Sequence, residues 1–147
     1  MGQQQLLLLV LSTVIVGLAT VAGIQAFSEN QAQASQDALV QRGTSIASDI
    51  QGLNGKPTQM GGVDLVDGSP SPSDIVSKLG YETTGTGSGD TVPAQGAGSG
   101  GECTIGTGSG NATITCTSDD APQTVTVTVD PQEDEKDDVV TTSFGSA

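Results

Sequence analysis

Cys103 and Cys116 are the only thiols in the chain, Asp130–Asp138 (DPQEDEKDD) sets six acids around one Lys, and Asn111-Ala112-Thr113 fits the acceptor pattern for N-glycosylation. Each of these suggests a definite chemistry. Two cysteines form a disulfide in an oxidising compartment or stay as free thiols in a reducing one. Clustered carboxylates hold Ca²⁺ through oxygen ligands, but this run lacks the spacing and central Gly of an EF-hand loop and reads as a solvated acidic segment. The string Gly85-Thr86-Gly87-Ser88-Gly89 is no phosphate cradle, because the one Gly-Lys pair, Gly55-Lys56, runs into Pro57. The chain has no His, which removes the Ser-His-Asp triad, the His-rich metal site and the one side chain that titrates near neutrality. No enzyme, metal, cofactor or small-molecule substrate is expected.

Charge narrows the partners further. With 17 Asp+Glu against 4 Lys+Arg, the formal charge is -13, and only three residues are aromatic (one Tyr and two Phe). Such a chain repels phosphate backbones and offers bases no stacking platform, so nucleic acid is excluded. An acid excess of this size suits an extracellular surface or a salty habitat, where screening shortens the repulsion between copies.

The two cysteines need elements to bring them together, and the sequence supplies a hairpin. CTIGTGSGNATITC folds back about Ser109-Gly110, setting Gly108 against Asn111, Ile105 against Ile114 and Cys103 against Cys116. A bridge across that pair would contribute about 3 kcal/mol in the chain-entropy model. Gln123–Val129 alternates Val and Thr at the strand period, and Val139–Phe144 reads as a further strand. Residues 102–147 therefore form an antiparallel meander with one apolar face. Ahead of it, residues 56–101 read as a Gly/Ser-rich loop with a short helix at Ser73–Leu79, N-capped by Ser73 and closed by Gly80, and a strand at Tyr81–Thr84. The part from Gly85 to Gly101 reads as flexible.

From Leu6 to Phe27 the chain runs 22 residues without a charge, and Glu29 is the first charged side chain. A helix rising about 1.5 Å per residue crosses the roughly 30 Å hydrocarbon core of a bilayer over that length. A cleaved secretory signal would need a basic start and a shorter apolar run, and a buried helix would need more apolar surface than the remainder can offer. Residues 1–27 thus read as a membrane helix. Beyond it, residues 28–55 continue as an amphipathic half: Leu39, Gly43, Ile46, Ile50 and Leu53 fall on one stripe, opposite Gln41, Arg42, Ser45, Ser48 and Asp49. Asn54-Gly55 and Pro57 stop the helix, which is expected from about Gln3 to Leu53, roughly 75 Å. The fold class is α+β, a long N-terminal helix on a small antiparallel sheet. Within the apolar half, Gly17, Ala19, Ala22, Gly23 and Ala26 thin the surface at the spacing that permits close helix–helix approach.

An apolar half-helix, an amphipathic continuation, an intervening loop and a disulfide-closed antiparallel sheet resemble type IV pilins and pseudopilins. The opening MGQQQLLLLV is similar to that of bacterial pilin-like proteins, and Gly2 followed by Gln3-Gln4-Gln5 resembles the prepilin processing site. Met1 alone precedes Gly2, and Leu7 stands where the family's major subunits carry Glu. The resemblance implies processing between Gly2 and Gln3 and anchorage in the inner membrane with the C-terminal part outside. It also implies partners that are lipid, copies of this chain and other pilin-like subunits, assembled into an extracellular filament. The alternative is a single-pass protein whose β-domain binds or scaffolds at the membrane.

Overall fold

A computed structural model describes residues 2–84, 90–132 and 139–146; the Gly85–Gly89 string and most of the acidic run lie outside the described residues. In chain order the elements are α1 (Gly2–Asn54), a 3-10 turn (Thr58–Met60), α2 (Pro72–Leu79), β1 (Thr91–Pro93), β2 (Glu102–Thr107), β3 (Ala112–Thr117), β4 (Gln123–Val129) and β5 (Val140–Ser146). The chain divides into two compact units, Met1–Ala32 and Gln33–Ala147.

The first unit is helix alone. Its residues are exposed from Gly2 to Gln31, so no side chain of the apolar run has cover from the fold. The hydroxyls within the run are accommodated locally. The Ser12 hydroxyl donates to the Leu9 carbonyl at 2.9 Å, that of Thr13 to Val10 at 2.8 Å, and that of Thr20 to Val16. Such back-bonding pairs each hydroxyl of the run with a carbonyl of its own helix.

The second unit carries the core. Leu39, Gly43, Ile46, Ile50 and Leu53 form the buried stripe of α1, as the spacing predicts, and Ser35 and Ala47 are buried beside them. They pack with the apolar face of a five-stranded sheet whose order is β1-β2-β3-β4-β5, antiparallel throughout. Gly43 sets how close helix and sheet can come: a Cβ added there would lie 2.9 Å from Val127 Cγ2 and 3.4 Å from Cys116 Sγ. The helix ends where expected, with the Gly55 N–H returning to the Gln51 carbonyl at 3.1 Å. Asn54 Oδ1 then accepts the Leu65 N–H at 3.0 Å, which ties the following loop to the helix end.

Between helix and sheet the structure departs from expectation in three places. The cap of α2 is Ser71, whose Oγ accepts the Asp74 N–H at 3.3 Å, because Pro72 takes the first helical position and moves the boundary upstream of Ser73. Tyr81–Thr84 is not a strand; the Thr84 N–H meets the Thr91 carbonyl at 3.0 Å, and the pairing strand is β1. Three residues show too little alternation to be recognised from sequence, and β1 exists through its register on β2, with Val92 opposite Cys103. Finally, residues 90–101 are not a free loop. Ala97 is buried, the Ser118 hydroxyl donates to the carbonyls of Ala97 and Ser99, and Asp120 Oδ2 accepts the Ser99 N–H at 2.7 Å. Gly98 sits at φ +85° against that carboxylate, where a Cβ would fall 2.2 Å from Asp120 Oδ2.

Candidate functional site

The feature that needs a functional explanation is the exposed helix surface of the first unit. Thirteen Leu, Val, Ile and Phe side chains from Leu6 to Phe27 are at least half exposed, on every side of the helix. The helix is long and apolar enough to cross a membrane. Gly17, Ala19, Ala22, Gly23 and Ala26 are all exposed among them, and a Cβ added at Gly17 or Gly23 would meet nothing within 4 Å. Gly2 opens the helix and Gln3 is exposed beside it, while Met1 lies outside the described residues.

The disulfide is formed as the hairpin register requires. Cys103 and Cys116 face each other across β2 and β3 and are bonded, both fully buried, with Cys116 beneath Gly43 of α1. Asn111 is half-buried at the bend, where its carbonyl accepts the Gly108 N–H at 2.9 Å. Of the acidic run only Asp130 to Gln132 are described, and among the described residues no group of three His, Cys, Asp or Glu can hold a metal ion.

One polar constellation was not legible from sequence. The Arg42 guanidinium lies 4.8 Å from the Tyr81 ring centroid, and the Tyr81 hydroxyl donates to Asp49. Burial, followed by the hydrogen bond to the Asp49 carboxylate and its negative charge, pushes the Tyr81 phenol up to about 12, while Arg42 and Ser45 act in the opposite sense. Arg42 and Asp49 are seven residues apart on α1 and so project from the same side two turns apart, but nothing in the sequence signals that Tyr81 closes over them. The arrangement fastens the segment after α2 onto the helix.

No family model matches the chain, and no curated protein or solved structure is similar to it. The functional reading therefore rests on the chain's own physics. A cleft lined by Ala38, Gln41, Arg42, Ser45 and Gln95 measures ≈ 280 Å³, and a second, lined by residues that include Asp49, Lys56, Lys78 and Tyr81, measures ≈ 380 Å³, at the low end of the roughly 300–1,000 Å³ of sites that enclose a drug-sized ligand. The apolar helix surface from Leu6 to Phe27 must be shielded from water.

Proposed function

We propose that the chain is a structural subunit or minor component of a type IV pilus-like filament, held in the inner membrane by α1 before assembly and carrying its β-domain outside. The observation that carries this reading is the apolar helix surface from Leu6 to Phe27, exposed all round and continuous in sequence with a half whose one apolar stripe the sheet already covers. Burying a residue of Leu or Ile size is worth roughly 1.5–3 kcal/mol, so thirteen such side chains demand lipid or copies of the same helix as their surroundings. Ala19 with Gly23 and Ala22 with Ala26 give two small-residue pairs at the four-residue spacing that lets helices approach closely. The buried disulfide suits a β-domain in an oxidising compartment.

Leu7 in place of the Glu of major subunits favours a second reading, in which the chain stays in the membrane as a single-pass anchor and the β-domain acts as a binding or scaffolding module. Both readings share the anchor and differ in the fate of the N-terminus. Intact-mass analysis of the mature chain is expected to show loss of Met1-Gly2 and a modified amine, and surface fractions released by shearing are expected to contain it. An intact Met1 on a chain found only with membranes would refute the filament subunit and leave the anchored module.

A further inference from the structure

The two edges of the sheet differ. The β1 edge is three residues long, ends in Pro93 and has buried Thr91 and Val92. The β5 edge is seven residues long, VTTSFGS, with no charge and no Pro, and it is exposed from Thr141 to Ser146. Folded proteins blunt long edges with charge, Pro, bulges or cover, because unpaired N–H and C=O groups are a template for another strand. Among the described residues only the β1 edge is blunted. The Asp130 N–H donates to the Val139 carbonyl at 2.9 Å, which makes that pair hydrogen-bonded. Hydrogen-bonded and non-bonded pairs alternate along an antiparallel ladder. The backbone groups of Thr141, Ser143 and Gly145 therefore point to β4, and those of Val140, Thr142, Phe144 and Ser146 point outward.

We propose that β5 is an interface on which a second copy of this chain docks, by antiparallel β5–β5 pairing about a two-fold axis at Ser143. The outward-pointing residues then meet only one another: Thr142 lies opposite Phe144 of the second copy and Val140 opposite Ser146, while the two Ser143 residues form a close non-bonded pair. Phe144 is 55% exposed although it lies opposite buried Val125, on the core face of the sheet, where α1 leaves it uncovered. In the paired state the two Phe144 rings become diagonal neighbours, within reach of each other on that face. Charge selects the occupant. A basic partner would find no carboxylate on β5, whereas the strand is itself neutral in a chain of charge -13, so two copies can touch there with the least repulsion. The blunted β1 edge leaves no site for head-to-tail growth, so the contact closes as an isologous pair. One strand pair with its two rings is a small interface, at the weak and transient end of the range.

The test uses the full chain in phospholipid vesicles. It has no free cysteine, so Ser143→Cys introduces a single thiol at the axis. Non-bonded pairs place Cα atoms about 4.5 Å apart, within disulfide reach. Mild oxidation is expected to give a covalent dimer whose yield rises with NaCl as the repulsion is screened. A Ser48→Cys control, on the polar side of α1, stays monomeric. Adding Thr142→Pro removes an outward N–H that β4 does not use, and Phe144→Glu sets like charges diagonally across the axis. Each is expected to reduce the Ser143→Cys dimer to the level of the control with the circular dichroism of the sheet retained. No dimer from Ser143→Cys, or a dimer that survives both additions, overturns the pairing. Sedimentation of the same samples with the vesicles reports the helix separately, so a failed strand contact and a failed anchor are distinguishable.

Discussion

Lysine placed in the apolar run tests the membrane assignment quantitatively. The thirteen exposed Leu, Val, Ile and Phe side chains each favour insertion by about 0.3–0.6 kcal/mol, or roughly 4–8 kcal/mol together. Ser12, Thr13 and Thr20 subtract little, because their hydroxyls already donate to carbonyls within the helix. A Lys near the centre costs about 2.5–3.5 kcal/mol and also removes one apolar contribution. Ile15→Lys should therefore weaken insertion without abolishing it, while Ile15→Lys with Leu18→Lys cancels most or all of the driving force on one face. The assay is alkaline carbonate extraction of membranes from expressing cells. The expected order is native chain wholly in the pellet, single variant mostly in the pellet, double variant largely released. A double variant that stays in the pellet refutes the reasoning, because the run would then not be held by its apolarity. So would a native chain that is released.

The second unit makes its own predictions. Reduction, or paired Cys103→Ala and Cys116→Ala, is expected to lower unfolding stability by about 3 kcal/mol for a loop of this size, read as a shifted denaturant midpoint. Gly43→Ala sets a helix-propensity gain of about 1 kcal/mol against the overpacking of Val127, about 1–3 kcal/mol, so the net effect is a small loss; Gly43→Leu, with no compensating space, should prevent native packing, as near-ultraviolet circular dichroism would show. Tyr81 is the only Tyr and there is no Trp, so phenolate absorbance reports it alone. Its folded pKa lies above the unfolded value of 10.0, so the neutral phenol's contribution is fully present below pH 10 and is lost as pH rises toward about 12. Asp49→Asn, which removes a charge that raises the phenol, should bring the titration midpoint down.

What the sequence revealed follows the range of each physical signal. The α1 stripe and the β2–β3 register were legible because periods of 3.6 and 2 repeat over enough residues to fix a face, and the register then placed Cys103 opposite Cys116. The bounds of β4 were legible for the same reason, since a one-residue slip would turn Val125, Val127 and Val129 to solvent. β1 was not, because three residues carry no period and its existence depends on a partner strand. Residues 90–101 looked free because Gly and Ser dominate them, yet the carboxylate that holds Ser99 comes from Asp120, 21 positions away. The Arg42, Tyr81 and Asp49 group was hidden likewise, since the ring and its carboxylate are 32 residues apart. The exposure of β5 was equally out of reach: alternation identifies the apolar face of a sheet but not how far across it the helix extends.

Charge and apolarity are segregated along this chain, and that segregation links the two proposals. Every charged side chain lies at or beyond Glu29, so the first 28 residues can enter lipid or a helix bundle without desolvating an ion. The consequence falls on the chain from Glu29 onward, which carries the whole excess of -13 into any assembly the helices would drive. In the proposed filament, helix association would draw copies together while their β-domains repel, and the balance would move with ionic strength. A neutral seven-residue edge is then the part of the domain surface where contact adds hydrogen bonds without setting carboxylate against carboxylate. On this reasoning charge on β5 and charge in the apolar run have separable effects: Phe144→Glu should abolish the strand contact and leave vesicle association intact, whereas the double Lys variant should release the chain from membranes and leave its disulfide and sheet unchanged.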